Sequence, residues 1–261
     1  MGRSTLARSI AAALAQTHRP LEVVVVNAAA KALPSLPAAN DAAIRIVEGG
    51  PYDRPRAANA ALDHANGEWL VFLDDDDAFA PVHIESLLEA ALRGDGARVA
   101  YSATAVVEPD GKARMIIGAE FHRLHLFTGN YMQLGAVLFH RSLVAGGARF
   151  DERIACFEDW DFVIQLAQRT HFVYTGQPTN LWNAHAGESG AGLGANKRDA
   201  ETKPFHEMVV AKWAQRAAQL RAEVERHERA AREAAARREP RYEGRHLAAA
   251  ARILRGPMDA A

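Results

Sequence analysis

The chain has 261 residues, enough for one large domain or one domain with an appendage. Its 31 basic and 32 acidic residues nearly cancel, which leaves no bulk electrostatic case for a nucleic-acid partner. The single cysteine, Cys156, excludes an internal disulfide framework, and no apolar run reaches the roughly 18–20 residues that cross a bilayer.

Residues 1–15 contain Arg3 and Arg8 but no long apolar core followed by a cleavage site, so no signal peptide is read and a soluble, cytoplasmic protein is expected. Leu6 to Leu14 carries apolar residues at helical spacing, ended by His18-Arg19-Pro20. Leu21 to Val26 is a β-branched run that predicts a buried strand. A shorter one, Ile44 to Val47, precedes a turn at Gly49-Gly50-Pro51. Ala57 to Ala65 reads as helix, with Asn66-Gly67 as its stop. Pro81 stands where a first helical turn tolerates proline and opens a helix through Ile84 to Leu92. Val99 to Val107 and Ala113 to Ile117 flank Pro109-Asp110-Gly111, a hairpin signal, and Gly135 to Phe139 reads as a core segment. Strand and helix alternate through the first hundred residues, which predicts an α/β fold with a mostly parallel sheet covered on both faces.

Between these elements, Trp69 to Leu73 is an apolar strand-type run that drives into Asp74-Asp75-Asp76-Asp77. If the strand continued, Asp74 and Asp76 would face one way and Asp75 and Asp77 the other. Like charges two residues apart repel by roughly 2–3 kcal/mol at an effective dielectric of about 20. A divalent cation removes that cost, and hard oxygen ligands suit Mg2+ or Mn2+. A solvated acidic turn after a strand is the alternative. Ligands of α/β sheets sit beyond the carboxyl ends of strands, where the four aspartates fall.

From about His206 the composition changes. Trp213, Ala217, Leu220 and Val224 recur at helical spacing among Arg, Glu and Gln, up to about Arg238, where Glu239-Pro240 breaks the pattern. A second helical piece covers His246 to Leu254. The chain thus divides into an α/β domain over 1–205 and a helical extension over 206–261. With fewer than three clean heptads, packing back on the domain or weak homo-oligomerisation is expected. A short coiled coil, or a contact at the inner membrane face, is the other reading.

Three segments together resemble the GT-A glycosyltransferases, specifically the large inverting family 2. Gln16 to Asn27 resembles the family's first helix and second strand. Arg56-Ala57-Ala58-Asn59-Ala60-Ala61-Leu62, Ala65-Asn66-Gly67-Glu68 and Phe72 to Asp77 resemble its approach to the DxD motif. Phe150-Asp151-Glu152 followed by Phe157 to Phe162 resembles its acceptor-side signature. The resemblance spans roughly residues 6 to 190. It implies a GT-A fold with a Rossmann-like sheet, and transfer of a sugar from a nucleotide-sugar donor to a saccharide, lipid-linked or protein acceptor. By position it places Asp74, Asp75, Asn27, Arg56 and Asn59 against the donor, and Asp76 on the metal, with His185 completing the metal shell or touching the diphosphate. It makes Asp159 the general base and puts Glu158 and Trp160 on the acceptor side. Read without the family, Glu158, Asp159 and Asp161 are carboxylates stabilised at a helix N-terminus, and Asp161 keeps that structural reading. Gly187 to Gly194 is a donor lid or a flexible surface loop. His122 and His125 have no carboxylates beside them in sequence, so no metal site is read there.

The chain departs from the family twice. Members usually begin with an apolar strand before the helix that starts here near Ser4, and its absence would leave two neighbouring strands with unpaired backbone groups, so that either Met1 is an internal start or the fold has adjusted. Ala28-Ala29-Ala30 also follows Asn27 where an acidic residue for the base is usual, so uracil specificity is not carried over. The competing expectations are a catalytically impaired GT-A-like binding or scaffold protein, and a nucleotidyltransferase. The latter would want a Gly-rich basic phosphate loop near the N-terminus, and none is present.

Overall fold

The computed structural model describes residues 5–29, 31–33, 43–108, 110–185, 192 and 197–256. Helix α1 (Leu6–Leu14) buries Leu6 and Ile10 against Val25 of strand β1 (Val23–Val26). Strand β2 (Ile44–Val47) runs parallel to β1, with Val23 opposite Ile44. Helix α2 (Arg54–His64) starts three residues before the sequence places it, because Asp53 caps it: the carboxylate accepts the Arg56 N–H at 3.1 Å, and Pro55 occupies the first turn.

Strands β3 (Trp69–Val71) and β4 (Ala78–Phe79) bracket the acidic run, followed by helix α3 (His83–Arg93). The hairpin β5 (Val99–Val107) and β6 (Ala113–Ile117) forms as expected. A short helix α4 (Arg123–Leu126) leads to strand β7 (Val137–His140) and the one-turn helix α5 (Ser142–Ala145). Helix α6 (Glu158–Ala167), strand β8 (Phe172–Trp182) and helices α7 (Asp199–Ala236) and α8 (Pro240–Arg255) complete the order.

The α/β architecture flanked by helices stands, but the sheet is mixed rather than mostly parallel. Its order is β3-β7-β5-β8-β4, with β6 added on β5. Among the described residues only β5 and β8 run parallel in it; β3–β7, β5–β7, β4–β8 and β5–β6 are antiparallel. Most neighbours in it are antiparallel, a pairing that needs no crossover helix. Among the described residues β1 pairs only with β2 and β3 only with β7, so the two sheets do not join. A carboxylate bridges their entries: Glu22 accepts the backbone N–H groups of Asn66 and Gly67, the latter at 2.9 Å.

Strand β5, buried on nearly every residue, shares one core with α6, whose Trp160, Phe162 and Ile164 are almost fully buried. Phe150 stacks on Phe162 with ring centroids 4.3 Å apart. The same core takes Val209 and Leu220 from α7, with Trp213 and Ala217 packed against it. The long helix therefore folds back on the domain. The expected boundary at 205/206 falls inside α7, which begins at Asp199.

Candidate active site

Strand β3 ends at Val71, so the acidic run does not alternate as a strand would. It turns instead: the Asp77 N–H donates to the Asp74 carbonyl at 3.2 Å. The turn brings carboxylate oxygens of Asp74, Asp76 and Asp77 within 4.8 Å of one another. Helix α1 holds it by its backbone, with Arg8 donating to the Asp76 carbonyl and the Ser9 hydroxyl to the Asp77 carbonyl, each at 2.7 Å. From the other side the Asn183 N–H, just past β8, donates to Asp77 Oδ1 at 2.8 Å.

Asp76 and Asp77 are buried while Asp74 is exposed. Burial, and then the charge of Asp74, push the Asp77 carboxyl up to about 8. Three crowded carboxylates held by backbone contacts, one of them reluctant to ionise, make a donor set that fits a hard divalent cation.

The opposite wall is the start of α6. Phe157 caps it with a left-handed backbone, φ 65°. Glu158 is buried, and Arg54 Nε at the start of α2 lies 2.6 Å from its Oε1. The same guanidinium reaches Asp74 Oδ2 at 3.6 Å, so one cation links the two acidic walls. Asp159 accepts the Trp160 N–H on Oδ1 at 2.7 Å and the Asn130 side-chain amide on Oδ2 at 3.3 Å. Burial and the neighbouring Glu158 charge push Asp159 up to about 7, against the opposing pull of Arg54.

A cleft of about 640 Å³ runs between these walls. It brings together Asp74, Asp75, Asp76, Asn27, Glu158 and Asp159 from the sequence reading. Asn27 is buried and donates to Glu48 Oε2 at 2.7 Å and to the Lys31 carbonyl at 2.8 Å.

Four expected residues lie elsewhere. Arg56 points to Glu152, with Nε 3.2 Å from Oε2, because two residues on a helix put it away from Arg54. Asn59 does not line the cleft and exchanges two 3.0 Å hydrogen bonds with the Phe150 backbone. Trp160 is a core residue, 1% exposed, donating to the Leu126 carbonyl at 2.6 Å, not an acceptor-side one. His185 is not brought to the acidic turn; its Nε2 lies 3.2 Å from Glu108 Oε2. The proposed lid over 187–194 falls outside the described residues except Gly192, which lines the cleft.

Arg54 and Asn130 are absent from the sequence reading, and Asp77 enters it only as part of the acidic run. The signal for Arg54 was the Asp53 cap with Pro55, which sets the phase of α2. Asp161 accepts from Lys212 Nζ, Trp213 Nε1 and Gln165 Nε2, each at 2.8 Å.

Residues 2–147, more than half of the chain, match the model of glycosyl transferase family 2, and the chain belongs to that family. It is 33% identical over 177 residues to the succinoglycan biosynthesis protein ExoO of Rhizobium meliloti, covering 60% of this chain and 50% of that protein. It is 26% identical over 166 residues to the uncharacterized glycosyltransferase YwdF of Bacillus subtilis, covering 59% of each. The chain thus spans between half and three-fifths of these relatives' length. Its GT-A fold is shared with S. aureus TarS, solved with UDP-GlcNAc, at 16% identity and a TM-score of 0.54, over 78% of this chain and 61% of that one. The mannosyltransferase PcManGT from Pyrobaculum calidifontis, solved with GDP-Man and Mn2+, superposes with a TM-score of 0.50 at 16% identity, over 95% and 82% of the two chains.

Proposed function

We propose that this chain transfers a sugar from a nucleotide-diphosphate sugar to an acceptor hydroxyl, with inversion at the anomeric carbon. The observation that carries the reading is that Arg54 ties the acidic turn to the Glu158–Asp159 wall across one cleft. Asp74, Asp76 and Asp77 would hold Mg2+ or Mn2+, which, when bound, offsets the charge of the departing diphosphate. The PcManGT complex with GDP-Man and Mn2+ supports that pairing of donor and ion. Asp75 and Asn27 border the donor side.

Asp159 takes the proton from the acceptor hydroxyl as that oxygen bonds to the anomeric carbon and the carbon–oxygen bond to the diphosphate breaks. A base needs a proton affinity near the working pH, and burial beside Glu158 supplies it. Asn130 orients the carboxylate through Oδ2. ExoO, named for succinoglycan biosynthesis, supports a saccharide acceptor.

The test is donor binding and transfer with Mn2+ in wild type, Asp76→Ala and Asp159→Asn. Asp76→Ala should lose metal-dependent donor binding. Asp159→Asn should keep it and lose transfer by about 10²–10⁴-fold; retained transfer would remove the base assignment. A second reading, a GT-A-like scaffold without catalysis, is favoured by the β1–β2 sheet beside the donor wall, which among the described residues does not join the larger sheet. Absence of nucleotide-sugar binding by the wild-type chain would select it.

A further inference from the structure

The charge balance of the chain conceals an uneven distribution. Between Arg226 and Gly256 there are nine arginines and no lysine against four glutamates, so the rest of the chain is net acidic. The arginines Arg241, Arg245, Arg252 and Arg255 of α8 are spaced by four, seven and three residues. That spacing sets them in one stripe along the helix, about 21 Å long at 1.5 Å per residue. All four are exposed, and among the described residues none forms an ion pair.

The opposite side of α8 is already occupied. Ala250 is buried, Ile253 packs on the main core, and Arg123 of α4 donates to the carbonyls of Ile253 and Gly256. The helix is therefore docked with its arginines outward. Tyr242 and Leu247, 56% and 50% exposed, flank the stripe one on each side.

We infer that this face of α8 binds the surface of an anionic phospholipid bilayer. Guanidinium groups pair with phosphate oxygens in a two-pronged geometry that lysine lacks, which suits a stripe made of arginine alone. An aromatic and an aliphatic side chain at its margins match the headgroup boundary, where tyrosine is favoured and apolar groups gain burial. A phosphodiester duplex offers nothing equivalent to them, and the net acidic remainder of the chain opposes wrapping by a polyanion. The inference does not depend on the catalytic reading of the cleft.

Co-sedimentation of the full chain with phosphatidylcholine vesicles, with and without phosphatidylglycerol, tests it. Binding should require phosphatidylglycerol and weaken as salt rises. Each arginine near the surface contributes about fivefold, so changing all four to Gln should reduce affinity by several hundredfold. The pair Arg241→Gln with Arg245→Gln, the milder change, should cost about 25-fold. The corresponding Lys variants should bind more weakly than wild type and more tightly than the Gln variants, and Tyr242→Ala with Leu247→Ala should weaken binding without removing its salt dependence. Circular dichroism matching wild type establishes that each variant is folded. Equal binding to neutral and anionic vesicles would overturn the inference, as would a folded Gln variant that binds like wild type. Release from phosphatidylglycerol vesicles by duplex DNA at matched phosphate would also overturn it and point to nucleic acid.

Discussion

Arg54 Nε and Glu158 Oε1 meet at 2.6 Å across 104 positions of sequence, and that pair is the hinge of the site's electrostatics. Arg54 lowers the proton affinity of Asp159, which burial and Glu158 raise to about 7. With Asp159 as the proposed base, Arg54→Gln removes the lowering influence, so the acid limb of kcat/KM should move above 7. Glu158 would be left buried without its cation, a cost of about 1–3 kcal/mol that grows as pH rises and the carboxyl is forced to ionise. A pH–rate profile superposable on wild type would refute the coupling.

The buried Asp77 predicts an unusual stability profile. Its carboxyl is held at about 8 in the folded chain against an ordinary 3.8, so the native state binds its proton more tightly than the unfolded one. Stability from this group is complete below about 4 and is lost as pH rises through about 8. Thermal melts without metal should therefore fall across that window. Mn2+ should reverse the fall, because it binds the ionised form and stabilises by mass action. Asp77→Asn should flatten the profile; a slope unchanged in that variant would show that another group carries it.

Arg56 and Asn59 separate sequence position from function. Arg56→Ala removes an exposed pair with Glu152 and should leave the donor KM and the melting temperature unchanged. Asn59→Ala breaks both bonds to the Phe150 backbone and should destabilise by about 1–3 kcal/mol, again without altering donor KM. A raised donor KM in either would restore a donor contact.

The α7 contact with Asp161 makes the fourth prediction. Lys212→Met leaves a fully buried carboxylate with only Trp213 and Gln165, and should cost about 1–3 kcal/mol in chemical denaturation. Adding Asp161→Asn should recover part of that loss, because the charge needing Lys212 is gone. A loss in Lys212→Met no larger than an exposed pair gives would mean α7 is held by its apolar contacts alone.

Local chemistry carried the legible part of the fold. The β-branched run around Val23–Val26, the Pro109-Asp110-Gly111 turn and the acidic stretch each announce a strand, a hairpin and a charged loop through their own residues. The mixed direction of the sheet was not legible, because β5 meets β8 some seventy residues on, and no local pattern reports a partner that distant. Within the site, errors followed from rotation. Successive residues on a helix differ by about 100°, so Trp160 enters the core although it follows Asp159, and Arg54 reaches the cleft where Arg56 does not. Placing the start of α2 at Asp53 would have exchanged those two arginines. His185 lies beyond any repeating pattern, and only the folded loop shows it beside Glu108.

Phe157 stands immediately before Glu158 and Asp159 with a backbone that glycine would adopt freely and an aromatic residue adopts at a cost of about 1–3 kcal/mol. Its ring is met edge-on by Trp160 and by His206 of α7, at centroid distances of 6.2 and 5.7 Å. Helix α7 thus helps keep a twisted joint from relaxing. Were α7 to lift away, Phe157 would be free to swing into an ordinary conformation, and the carboxylate beside it would be re-aimed without a single atom of the cleft having been mutated.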